Sequence, residues 1–282
     1  MEKNKCIAYC GLDCEHCEAR IATINNDDSL REKVAKEWSE LNKVNITKEM
    51  INCEGCKLNG KKFYFCEHLC PIRQCNLSHG YETCHECEEL TSCQKIRMII
   101  GDNKDALCRL LKGRVLINSE KLSITYLDTS MYYDVWQNSL DENNRRFVPD
   151  EVFETLEDAT EVVNQLIECY LSEDGPYIYP VIRNSDKANL GYVQLVRIEE
   201  GWEIGYHIAQ KYCGNGYASE AVSLFLQYLK DKKELKEIYG VALADNKASR
   251  RVLEKNGFEL MFEGEGIYQG RPDRIIKTIK KL

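Results

Sequence analysis

The amino-acid sequence predicts an α/β (α+β) domain of alternating strands and helices over residues 114–282, preceded at 1–113 by a small loop- and helix-rich cysteine module. Three observations predict that division. A chain of 282 residues exceeds the usual size of one compact domain, so two cores are expected. Thirteen of the 15 cysteines, Cys6 to Cys108, lie in the first 108 residues. The stretch up to Gly113 carries 17 Lys+Arg against 18 Asp+Glu, a net of −1, while the remainder carries 21 against 28, a net of −7.

In the first part, SLREKVAKEWSEL at residues 29–41 places Leu30, Val34, Trp38 and Leu41 on one helical face behind a Ser29 cap. From Cys53 to Cys93 apolar periodicity is poor, which predicts a loop-rich segment. Two helices follow, one beginning near Ser92 and one running from Asn103 to a stop at Gly113. After that glycine the pattern changes. KLSITYLD reads as a strand and SMYYDVWQNSLD as a short helix. ETLEDATEVVNQLIECYL has Thr155 and Asp158 at capping-box spacing, with Val162, Val163, Leu166, Ile167 and Tyr170 as its buried stripe. PYIYPVIR, LGYVQLVRI and GWEIGYHIA are strands; YASEAVSLFLQYLK is a helix, EIYGVAL a strand and NKASRRVLEKNG a helix, before closing strands around FELMFEG and RIIKTIK.

No run of about 18 apolar residues occurs, and MEKNKCIAYCGLDC lacks the apolar core of a secretory signal, so no membrane partner and a cytoplasmic location are expected. In a reducing compartment, close cysteines serve metal more often than disulfides. A net charge of −8 argues against a general nucleic-acid binder and favours cationic small molecules or basic peptides.

The stretch GWEIGYHIAQKYCGNGYASEAVSLFLQYL joins a strand to a helix through a loop holding Gly214 and Gly216. Such glycines let backbone N–H groups approach a pyrophosphate, and the helix start at Ala218 adds free donors and a positive dipole end. In context, YCGNGYASEA preceded by EIGYHIA and followed by ADNKASRRVLEKNGF resembles the coenzyme A site of the GNAT superfamily, in the branch of ribosomal-protein-alanine and aminoglycoside acetyltransferases. DVWQNSLDENNRRFVPDEVFETLEDATEVVNQLI resembles the early helices of that branch, and the likeness spans residues 118–282.

The resemblance implies a GNAT fold with a central mixed sheet and acetyl-coenzyme A as cosubstrate. It implies that Lys211, Tyr212, Cys213, Gly214, Asn215, Gly216, Tyr217 and Ala218 hold the pyrophosphate. The strand edge His207, Ile208 and Ala209 would take the pantetheine, and Asn246 and Ser249 would touch the cofactor from the later helix. Lys211 departs from the Arg or Gln of many relatives but keeps a donor.

Acetyl transfer to an amine requires a neutral amine, a stabilised oxyanion and a proton for the thiolate. In this fold the N–H near Ile208, on a strand splayed from its neighbour, would serve the oxyanion. Strand alternation puts Glu203, Gly205 and His207 on one face, and Glu203 is the first choice of base because the branch often has a glutamate there. His207 reads more readily as a packed side chain. Where many relatives carry a tyrosine acid, Leu253 stands here, leaving Tyr268, Tyr126 or solvent as the proton source. Cys213, with no identified basic partner, is read as a bystander rather than a nucleophile.

The first part holds Cys10, Cys14 and Cys17; Cys53 and Cys56; Cys66, Cys70 and Cys75; and Cys84, Cys87 and Cys93. Three C-x2-C pairs among eleven clustered cysteines are a strong metal signal, because that knuckle lets two thiolates reach one tetrahedral ion. Two or three four-thiolate zinc sites are expected, with His16, His68, His79 or His85 as replacement ligands and an iron–sulfur cluster as the alternative. YCGLDCEHCEARIATINND, CEGC, CPIRQC and CHECEELTSCQKIR resemble a bacterial and archaeal family of cysteine-rich domains without assigned function.

The expected function is direct acetyl transfer to the primary amine of a small molecule or a protein N-terminus. The alternative is a non-catalytic acyl-coenzyme A sensor whose zinc module contacts a protein or RNA partner, favoured by the missing tyrosine.

Overall fold

The computed structural model describes residues 6–101, 103–233 and 235–282. The chain divides into two compact units, Met1–Leu110 and Leu111–Leu282.

The first unit contains α1 (Glu18–Ile24), α2 (Asp28–Asn42), α3 (Pro71–His79), α4 (Gln94–Ile100) and α5 (Lys104–Leu111). The cap of α2 is Asp27, not Ser29: its carboxylate accepts the Leu30 N–H at 3.0 Å. The α2 stripe also ends early, since Val34 is buried but Leu41 lies 79% exposed. Val34 joins Ala19, Ala35, Ile46 and Ile51 in a small core, against which Trp38 and Phe63 pack edge to face at 4.9 Å. The segment expected to be loop-rich contains α3 and a single π turn at Phe65–Leu69. Periodicity could not reveal α3, because it buries only Ile72 and Asn76.

The second unit is built on an eight-stranded sheet in the order β1-β2-β3-β4-β5-β6-β8-β7. Its strands are β1 (Val115–Asn118), β2 (Leu122–Thr125), β3 (Tyr177–Arg183), β4 (Asn189–Ile198), β5 (Gly201–Ile208), β6 (Glu237–Leu243), β7 (Glu259–Tyr268) and β8 (Arg271–Lys281). All neighbours are antiparallel except β5 and β6. The helices are α6 (Tyr132–Ser139), α7 (Glu142–Phe147), α8 (Leu156–Cys169), α9 (Tyr217–Lys233) and α10 (Lys247–Lys255). The capping box of α8 forms as expected, with Thr155 accepting the Asp158 N–H and Asp158 accepting the Thr155 N–H. Ala159, Val163 and Ile167 bury its inner stripe, while Phe225 of α9 is fully buried and packs on Tyr179 of β3 at 5.4 Å between ring centres.

One feature of the sheet sets the site. β4 and β5 pair along eight positions, but β5 and β6 share a single register pair, Glu203 with Tyr239. Beyond Glu203 the two parallel strands diverge.

Candidate active site

The seam between β5 and β6 opens into a cleft of about 810 Å³. The Ala209 N–H bonds the Leu190 carbonyl at 2.8 Å, so by antiparallel alternation the amide of Ile208 faces away from β4, toward the seam. The Ile208 carbonyl, on the same side, accepts the Cys213 thiol at 3.3 Å. A strand edge whose Ile208 amide faces away from β4 thereby lines the cleft, where an amide-bearing chain can lie alongside it.

Beyond Ile208, a 3-10 turn at Gln210–Tyr212 leads through Cys213–Gly216 into α9. Gly214 and Gly216 both adopt φ +82°, and a β-carbon there would meet nothing within 4 Å, so backbone conformation rather than space demands glycine. The loop delivers the chain into the first turn of α9, whose N–H groups have no intrahelical acceptors. Two residues missed by sequence reasoning shape it. Arg183 is paired with Asp186 and lies over the rings of Tyr212 and Tyr217 at 5.1 and 5.9 Å, which brings a cation to the glycine loop. Asp141 accepts the Gln210 N–H at 2.7 Å and the Asn144 N–H at 2.8 Å, and its Oδ2 stands 3.7 Å from His207 Nε2. Burial raises the titration point of Asp141, but these contacts outweigh it and hold the carboxyl at about 2. His207 is therefore a packed side chain beside the Asp141 carboxylate.

Asn246 caps α10 by accepting the Ser249 N–H at 3.0 Å, and both residues line the cleft. The Tyr206 hydroxyl stands 2.9 Å from both the carbonyl and the Oγ of Ser249. Leu253, one turn further along α10, is buried. Tyr126 is only 3% exposed and packs on Tyr170 and Tyr179, away from the cleft, so it drops out as a proton source.

Glu203 lies at the branch point of the seam and lines the cleft. Burial pushes its carboxyl up to about 7, against the lowering effects of Lys277 and of the Val241 backbone, with Glu200 adding to the rise. A second carboxylate, Glu151, lines the same cleft and is also pushed to about 7, by burial first, with Asp150 raising it and a hydrogen bond from Gln194 Nε2 at 3.4 Å opposing. Sequence reasoning did not find it. Tyr268 completes the group: burial, then the charges of Glu151, Glu203 and Asp150, hold its hydroxyl up to about 12.

No disulfide joins any of the thirteen cysteines of the first unit, nor Cys169 and Cys213 in the second. Cys66 feels the charge of Cys53, Cys56, Cys70 and Cys10, and burial pushes it up to about 12. Cys14 and Cys56 share a hydrogen-bonded proton, which Cys14 keeps, and Cys6 stands beside them. Cys84 feels Cys10, Cys93 and Cys87. Cys17, Cys70 and Cys93 occupy helix N-caps without making a side-chain cap bond. Cys75 stands 3.8 Å from His79 Nδ1. The thiols are thus gathered, but among the described residues no three His, Cys, Asp or Glu side chains stand close enough to hold one ion.

Comparison with known proteins agrees with this geometry. Residues 124–259 match the acetyltransferase (GNAT) domain family, and residues 6–98 match a protein family of unknown function, DUF3795. The uncharacterized N-acetyltransferase YnaD of Bacillus subtilis is 29% identical over 143 residues, 50% of this chain and 81% of that protein. A GNAT-family acetyltransferase structure from Bacillus anthracis is 25% identical with a TM-score of 0.52, over 58% of this chain and 97% of that one. A ribosomal L7/L12 alpha-N-protein acetyltransferase solved with coenzyme A shares the fold at 18% identity and TM-score 0.52, over 60% of this chain and 98% of that one. The second unit carries an acetyltransferase (GNAT) domain. The chain thus carries a DUF3795 domain over residues 6–98 and a GNAT acetyltransferase domain over residues 124–259.

Proposed function

We propose that the protein moves an acetyl group from acetyl-coenzyme A directly to the primary amine of a small molecule or a protein N-terminus, with Glu203 as general base. The carrying observation is that the Glu203 carboxylate, poised at about 7, sits where β5 and β6 part and lines the cleft that also reaches Ile208 and Ser249. Glu203 takes a proton from the acceptor ammonium. The freed nitrogen attacks the thioester carbonyl, the C–N bond forms, and the oxyanion is met by the Ile208 N–H. As the C–S bond breaks, the thiolate takes a proton from Tyr268 or solvent. The strand edge His207–Ala209, the loop Lys211–Ala218, and Asn246 and Ser249 bind the cosubstrate. A protein N-terminus remains in this acceptor class because the ribosomal-protein enzyme with this fold acts on one.

Thioester consumption with a panel of primary amines tests the reading. Glu203→Gln should lower turnover at neutral pH at least about 10²-fold while coenzyme A affinity changes by less than about twofold. Because the base must be ionised, wild-type kcat/KM should climb as pH rises through about 7 and lose that limb in the variant. Unchanged turnover removes Glu203 from the mechanism. Coenzyme A binding without turnover on any amine would support the sensor reading instead.

We further propose that the cysteines of the first unit bind zinc in four-thiolate sites that substitute for an apolar core. The gathering of free thiols and the idle N-cap cysteines support this. Native mass spectrometry counts the ions, and visible absorption of the purified protein would replace zinc by an iron–sulfur cluster.

A further inference from the structure

The acceptor end of the cleft carries more negative charge than a single amine can answer. Asp150, Glu151, Glu200 and Glu203 line it, and its one lysine, Lys277, is already engaged with Glu200 at 3.1 Å. Among the described residues, neither Glu151 nor Glu203 has a Lys, Arg or His within ion-pair distance. The Glu151 carboxylate accepts a hydrogen bond from the Gln194 amide at 3.4 Å.

The arrangement is built by the strands. Gln194 of β4 faces Gly205 of β5, and Val196 faces Glu203 one pleat further along. A β-carbon at Gly205 would come within 2.4 Å of Gln194 Nε2, so the glycine lets the amide lie across β5 and reach Glu151. Glu203, two residues from Gly205, points to the same side of the strand. Tyr268 feels both carboxylates, which places them in one compartment.

We propose that this is a two-point site for a compact aliphatic diamine, in which one ammonium is set against Glu203 and acetylated while the other is held by Glu151. The inference rests on the transfer reading above and narrows its acceptor. A monoamine that gives its proton to Glu203 leaves Glu151 desolvated and unpaired. A second ammonium at a fixed separation answers that charge and fixes the first nitrogen for attack. Burial is the largest cause of the raised titration point of each carboxylate, and a bound ammonium would offset that cost. Glu151 is thus a positioning and specificity residue.

The test uses the full chain with coenzyme A present, titrated calorimetrically at pH 8 with 1,4-diaminobutane and with 1-aminobutane, alongside turnover with acetyl-coenzyme A. Wild type should prefer the diamine at least about tenfold, in Kd and in KM. Glu151→Gln should erase that preference chiefly through KM, and Glu151→Asp should restore part of it. Coenzyme A affinity reports that each variant is folded, and a variant that loses it is replaced by Gly205→Ala, which should displace Gln194 and shrink the same preference. Equal binding of both amines to wild type, or a preference retained in Glu151→Gln, overturns the proposal. Absence of turnover with every amine would defeat the transfer reading alone, since the binding titrations still decide whether the site takes a diamine.

Discussion

The two units reach order by different means. The second buries Leu122, Ile124, Ile167, Val181, Val193 and Phe225 completely between one sheet and its helices. Each such side chain contributes about 1.5–3 kcal/mol. The first gathers Ala19, Val34, Ala35, Ile46 and Ile51 in one cluster and buries Ile72, Leu90, Ile96 and Leu110 elsewhere, in a segment from Cys53 onward that is dense in cysteines and lacks an apolar stripe. The difference teaches that one half is laid out by an apolar pattern, which repeats along the chain, and the other by the spacing of its cysteines, which on the reading proposed above is for metal.

Metal removal breaks that contrast most sharply. On the zinc reading proposed above, chelator should raise amide exchange across residues 6–101 toward unfolded rates while the sheet of the second unit stays protected, since a structural zinc is worth on the order of 10 kcal/mol; equal protection in both units would show that the first unit stands without metal. Next in size, Gly216→Ala forces a β-carbon into a φ of +82°, a strain of about 1–2 kcal/mol, so coenzyme A should bind roughly tenfold more weakly with the first unit undisturbed. The smallest effect concerns pH. Glu151 titrates at about 7 folded and near 4.5 unfolded, so the native state binds the extra proton and stability falls as pH climbs from about 4.5 to about 7, then levels. Glu151→Gln removes that loss and should raise stability at pH 8 by about 1–3 kcal/mol, with little change at pH 4, as read by chemical denaturation.

What could be seen in the sequence follows the same division. The Thr155 and Asp158 box with its stripe gave α8, and the alternation of EIYGVAL gave β6 at its true bounds, because both signals are local. The short strand β1 escaped notice, as did α7, whose polar ENNRRF shows no periodicity and which stands on its Asp141 cap. In the site, the glycine loop and Glu203 were legible as consecutive residues on one strand and turn. Glu151 was not. Its role depends on Gln194 reaching across a glycine from 43 residues away, a contact that no window of the sequence contains. Arg183 likewise enters the loop only by stacking on tyrosines from another element.

The lone pairing of Glu203 with Tyr239 has a mechanical side. Strands β1 to β5 form one raft and β6 to β8 another, joined edge to edge at a single rung. A pantetheine laid along Ile208 would add the missing rungs to one lip of the gap, so the cosubstrate works as a rivet as well as a reagent. With a single register pair between them, the two rafts meet at the least tied joint in the sheet.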